Sequence, residues 1–103
     1  MFNATFALDV AGDSLHVADL GNRRVRKVDL KTGIVTTVAG NGDEGAPNHG
    51  ADAVNSPLVD PRAVAVDFKG NLYILDRRGN ALHVVDPAGK IRTLIRPGTC
   101  NPT

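Results

Sequence analysis

Leu15-His16-Val17-Ala18-Asp19 and Leu72-Tyr73-Ile74-Leu75-Asp76 are one short apolar segment written twice, each closed by an aspartate, and their reading decides the fold. The segments before them also match: Ala7-Leu8-Asp9-Val10-Ala11-Gly12 aligns with Ala65-Val66-Asp67-Phe68-Lys69-Gly70. Those after them continue the agreement. Val25-Arg26-Lys27-Val28-Asp29 aligns with Leu82-His83-Val84-Val85-Asp86. Gly33-Ile34-Val35-Thr36-Thr37-Val38 aligns with Gly89-Lys90-Ile91-Arg92-Thr93-Leu94. The same segments recur in the same order, with only Ser14 and Thr32 as extra residues at two turns. An internal repeat of this kind marks an array of like structural units.

Each segment is short, rich in Val, Ile, Leu and Thr, and bounded by Gly, Asn, Asp or Pro, as a strand requires. Turns this tight make neighbouring strands antiparallel, so each repeat is a four-stranded meander. No long stretch has helical spacing. Leu15, Val17, Leu72 and Ile74 point to one face, Ala18 and Leu75 to the other, and both faces need covering. Sheets stacked face to face around an axis meet that need, which makes the expected fold all-β: two four-stranded antiparallel blades of a partial β-propeller. The expected divisions are residues 1–40 for the first blade, 41–60 for a connection, 61–96 for the second blade and 97–103 for a tail. The connection is rich in Gly, Asn and Asp, with Pro47 and Pro57, and reads as a flexible crossover.

The stretch from Leu15 to Asp29, with Gly21-Asn22-Arg23-Arg24-Val25 at its centre, resembles the NHL repeat, as does Pro61 to Asp76. Thr36-Thr37-Val38-Ala39-Gly40-Asn41-Gly42 resembles long-loop bacterial members of that family. The resemblance covers residues 7–95 and implies a six-bladed propeller of which two blades are present. It departs at Arg77-Arg78-Gly79-Asn80, where the asparagine comes one place late relative to Asn22. Two blades do not close a ring, which leaves a fragment of a longer chain, a homotrimer or a truncated reading frame. The fragment is favoured, because arrays need roughly three or more units.

Twelve basic residues against eleven acidic leave a net charge of +1, which gives no general reason to expect a nucleic acid or an anionic membrane. The lone Cys100 excludes an internal disulfide and reads as a bystander thiol. The opening Met1 to Leu8 lacks the basic region of a signal peptide and assigns no compartment. No apolar run reaches the ~18–20 residues of a membrane span.

The aspartates that end strands (Asp9, Asp19, Asp29, Asp67, Asp76, Asp86) recur at matching positions, which suits turn-bonding carboxylates better than catalysis. His16 stands where the second repeat has Tyr73, a packing position, and His83 stands where Arg26 stands, a partly exposed one. Arg23, Arg24, Arg26 and Lys27 form the strongest charge cluster, a strip suited to an acidic protein surface or a phosphate backbone. The second repeat does not continue it, and aromatics for base stacking are scarce. Asp43, Glu44, His49 and Asp52 make the one grouping of acids with an imidazole, without an established metal-ligand spacing. There is no nucleophile elbow and no phosphate loop. These eight residues are the expected binding surface; no catalytic residue, metal or cofactor is expected. The expected function is protein recognition by a propeller scaffold, with RNA or polysaccharide behind it and self-association to complete a ring as a further option. The alternative is part of a propeller enzyme, a metal-dependent lactonase or lyase, as similar six-bladed folds can host.

Overall fold

The computed structural model describes residues 5–76 and 81–95, with side chains described from residue 12 onward. The Met1 to Ala4 opening, the Arg77 to Asn80 turn, Cys100 and the side chain of Asp9 lie outside the described residues.

The chain is all-β. Strands β1 (Thr5–Ala11), β2 (Ser14–Asp19), β3 (Arg24–Asp29) and β4 (Val35–Ala39) lie side by side in chain order, each antiparallel to the next. The connection contributes β5 (Ala51–Asp52). After it β6 (Pro61–Val66), β7 (Leu72–Asp76), β8 (Ala81–Val85) and β9 (Lys90–Ile95) repeat the meander. The second sheet thus has a fifth strand, because β5 adds itself to the outside of β9.

At the hairpin ends, carboxylates hold the turns. Asp29 Oδ1 accepts from the Lys31 amide at 2.9 Å, and Asp67 Oδ1 from those of Lys69 and Asn71 at 3.0 and 2.9 Å. Asp86 Oδ1 accepts from Ala88 and Lys90, each at 3.0 Å. These are local side-chain substitutes for a backbone turn, as repetition of the aspartates led us to expect.

The repeat extends to an irregularity. Val25 faces Ala39 while Arg26 faces Thr37, which leaves Val38 as an extra residue in β4. Leu82 faces Ile95 while His83 faces Thr93, which leaves Leu94 extra at the matching place in β9. Each is a β-bulge, which bends the outermost strand of the meander.

Directly opposed residues share a face, so register shows what each sheet presents to the other. Ala18, Val25 and Ala39 make one row of the first sheet, and Leu72, Val85 and Ile91 a row of the second. Together with Val64, Ile74 and the connection's Ala53 and Leu58, they form the hydrophobic core, which lies between the two sheets. Leu58, Ile74 and Ile91 are fully buried, so each blade supplies half of its neighbour's interior. Strand β6 lies against β1 and β2, bringing the inner strands of the two blades together.

The connection does not run free between the blades. The Gly40 amide donates to the Ala53 carbonyl at 2.9 Å, and the Ala53 amide to that of Gly89 at 2.8 Å. The Gly50 amide donates to Ile91 at 2.7 Å and the Leu58 amide to Asp43 at 3.2 Å. A composition of Gly, Asn and Asp suggested flexibility, but the buried side chains of Ala53 and Leu58 dock the segment on both blades.

Candidate functional site

The antiparallel order gathers several features at one end of the blades. These are the 3-10 turn Leu20–Asn22 between β2 and β3, the exit of β4 into the connection, and the entry of β6. Arg23 closes the turn in the left-handed region at φ 52°, ψ 45°, its amide donating to the Leu20 carbonyl at 3.0 Å. The connection passes so close that a Cβ on Gly40, itself at φ 91°, would lie 2.3 Å from the Arg23 carbonyl oxygen. Between this turn and β6 lies a cleft of about 270 Å³, lined by Leu20, Gly21, Arg23, Val59, Asp60 and Arg62. A second cleft, of about 320 Å³, opens between the sheets beside His16, Lys27, Val38, Leu72 and Pro87.

Behind the first cleft sit buried carboxylates. Asp76 accepts from the amides of Val59 and Asp60, both at 2.9 Å, and so fixes the start of the second blade. His83 Nε2 lies 3.6 Å from Asp76 Oδ2, and His83 Nδ1 is bonded to Thr93 Oγ1 at 2.9 Å. The first blade builds the same arrangement with a different base. Asp19 accepts from Arg26 Nε at 3.1 Å, and Arg26 Nη1 donates to Thr37 Oγ1 at 2.9 Å. An Asp–Arg–Thr set and an Asp–His–Thr set at equivalent positions point to a shared structural role. His83 is 2% exposed, not partly exposed as its alignment with Arg26 suggested. It shares a row with Ile74 and Thr93 on the covered face, and imidazole is short enough to stay there.

The eight expected surface residues divide. Along β3, strand alternation sends Arg24 and Arg26 to one face and Lys27 to the other, so the basic run is not a continuous strip. Arg24 Nη2 donates to the Asn41 carbonyl at 2.9 Å, Arg26 is taken by Asp19, and Lys27 is exposed. Arg23 lies 3.4 Å from Glu44, each partly exposed. Arg23, Arg24 and Glu44 are therefore brought together at the cleft end. Asp43 and His49 are exposed on the connection. Asp52 goes elsewhere, to Lys90 on the outer edge of the second sheet. That hydrogen bond from Lys90 holds the Asp52 carboxyl below the ordinary carboxylate range and raises Lys90 in turn. Among the described residues no three of His, Cys, Asp and Glu gather as a metal-ligand set.

Sequence reading passed over Asp60 and Arg62, which meet at 3.2 Å on the cleft wall. The available signal was Asp60-Pro61-Arg62 at the opening of the second repeat, a charged pair astride a proline that starts a strand.

No protein-family model matches the chain. Among curated proteins, Teneurin-3 of Mus musculus is 32% identical over a 112-position alignment that covers 89% of this chain and 4% of that protein. Teneurin-1 of Gallus gallus is 32% identical over 102 residues, again 4% of its length. NHL repeat-containing protein 2 of Gallus gallus is 38% identical over 61 residues, 58% of this chain and 8% of that protein. The chain therefore spans only a small part of each relative. Among solved structures, the selenomethionine-substituted virginiamycin B lyase from Staphylococcus aureus superposes with a TM-score of 0.64 at 13% identity. That match covers 95% of this chain and 28% of the lyase chain, and at this identity it is a likeness of fold alone.

Proposed function

This chain is built of NHL-type repeats folded as neighbouring blades of a β-propeller, and from that premise we propose that it is a non-catalytic binding unit that recognises a protein through the end carrying the connection. One observation carries this reading. The connection is docked on both blades by backbone hydrogen bonds and buried Leu58, yet it holds Asp43, Glu44 and His49 out to solvent. Beside them the 270 Å³ cleft is flanked by Arg23 and Arg62. A rigid scaffold presenting polar side chains of both signs on ordered loops suits a protein surface. The cations of this end are all matched within the chain, Arg23 by Glu44, Arg24 by Asn41, Arg26 by Asp19 and Arg62 by Asp60, which suits a partner surface of mixed charge better than a polyanion. The structural likeness to a lyase assigns no activity to this chain.

The test is a selection of displayed peptides against the immobilised chain, followed by affinity measurement. Replacing both Arg23 and Arg62 by alanine should weaken the selected peptides at least about tenfold, the loss of two charge-assisted contacts. Lys31→Ala, at the opposite end of the blades, should leave affinity unchanged. Equal affinities for all three proteins would remove this end from recognition. Arg24→Ala and Arg26→Ala are poor probes, since both residues hold the chain's own structure.

A further inference from the structure

Among the described residues, Arg23 is the one side-chain-bearing residue at positive φ. A glycine would hold that turn without strain, so what the arginine adds there is its side chain. Backbone strain of this kind collects where a side chain is put to use. The guanidinium itself is incompletely served. Its Nε–Nη2 edge is the one that grips a carboxylate side-on, through two parallel hydrogen bonds. On that edge Glu44 Oε1 meets Nη2 at 3.4 Å, longer than a charge-assisted bond should be. The Nε beside it is buried and has no acceptor among the described residues. Both side chains of the pair are partly exposed, 35% for Arg23 and 49% for Glu44, and an ion pair so placed is weak. The opposite wall of the cleft carries Arg62, whose Nε donates to both oxygens of Asp60 at 3.3 and 3.2 Å.

We propose that the Arg23 guanidinium anchors a carboxylate of the bound protein, and that Glu44 holds its place until that carboxylate arrives. The inference rests on the reading that the loop end recognises a protein, and it names the chemistry recognised. The incoming group takes Nε–H and Nη2–H together, whereas Glu44 bonds Nη2 and leaves Nε unmet. Glu44 sits on the connection, which is anchored by the backbone bonds of Gly40, Ala53 and Leu58, so its side chain can swing aside without loosening the fold. A single carboxylate suits the cleft better than a phosphate dianion, because Asp60 lines the same space and would repel the second charge. An acidic side chain and a chain terminus offer the same two oxygens, and either can be the source.

Peptides selected on the intact chain supply the probe. The tightest is compared with two altered forms, one amidated at its C-terminus and one with its acidic side chains replaced by amides. One of the two should lose at least about tenfold in affinity, and which one it is identifies the source of the carboxylate. Arg23→Lys keeps the charge but not the fork, and should weaken the parent peptide about tenfold; full affinity in that variant overturns the proposal. Glu44→Gln, at an exposed position, should bind the parent peptide about two- to fivefold tighter. That gain should vanish in an Arg23→Ala background, where no pair is left to exchange. A gain that survives there is an effect of net charge and overturns the exchange. If Arg23→Ala weakens binding while neither altered peptide does, the carboxylate is wrong and recognition by this end stands without it. If no selected peptide depends on Arg23 or Arg62, both readings fall.

Discussion

A methyl group at residue 40 would have to share space with the Arg23 carbonyl oxygen and the Arg24 Cα, at 2.3 and 2.9 Å. Both contacts are to backbone, so no rotamer relieves them, and the positive φ adds its own strain. Gly40→Ala should therefore lower the stability by at least about 2 kcal/mol, read from denaturant unfolding. Asp76 is the second decisive residue. Asp76→Ala leaves the part-buried amide of Val59 and the buried amide of Asp60 without their acceptor, a loss of about 3 kcal/mol for two bonds to a charged group. Asp76 was legible in the sequence, because it ends a strand at the place where Asp19 does. Its partners were not, since they lie across the connection and depend on how that segment folds. The same holds for Arg23 and Glu44: the residues stand out as charges, but their pairing follows from the docking of the loop.

At the scale of elements, the hairpin between β6 and β7 shows how one aspartate governs a turn. The Asn71 amide, the largest influence, and then the Asn71 side chain hold the Asp67 carboxyl below its ordinary value, with Tyr73 Oη donating at 3.1 Å. Tyr73 is raised for the same reason, since its hydroxyl proton serves that carboxylate. A carboxyl whose folded pKa is depressed stabilises the fold above its unfolded value, and that contribution disappears as pH falls through the folded one. Asp52, lowered by Lys90, acts in the same direction. The thermal midpoint should thus decline on acidification below about pH 4, and the decline should be shallower in Asp67→Asn. Strands were readable here from composition and repetition, and their mutual order followed from the short turns. Strand β5 was not. Ala51–Asp52 is too short to carry a pattern, and it becomes a strand only because β9 offers an unpaired edge.

On the scale of the whole molecule, the core lies between the sheets, so neither sheet retains a buried face without the other. Unfolding should be a single cooperative transition in which amides of both sheets lose protection together, measured by hydrogen exchange. Ile74→Ala, at a fully buried site, should cost about 3 kcal/mol and weaken both sheets alike. Loss of one sheet's protection ahead of the other's would contradict this account. The sequence foretold that both faces of each meander needed cover; only the structure shows which pair is satisfied within the chain, since one row of alternating residues looks much like the next. The bulges at Val38 and Leu94 carry the repeat beyond side chains into the backbone. One is a valine and the other a leucine, yet the outermost strands of both meanders step out of register at the same place, so the bend belongs to the position in the unit and not to the residue that fills it.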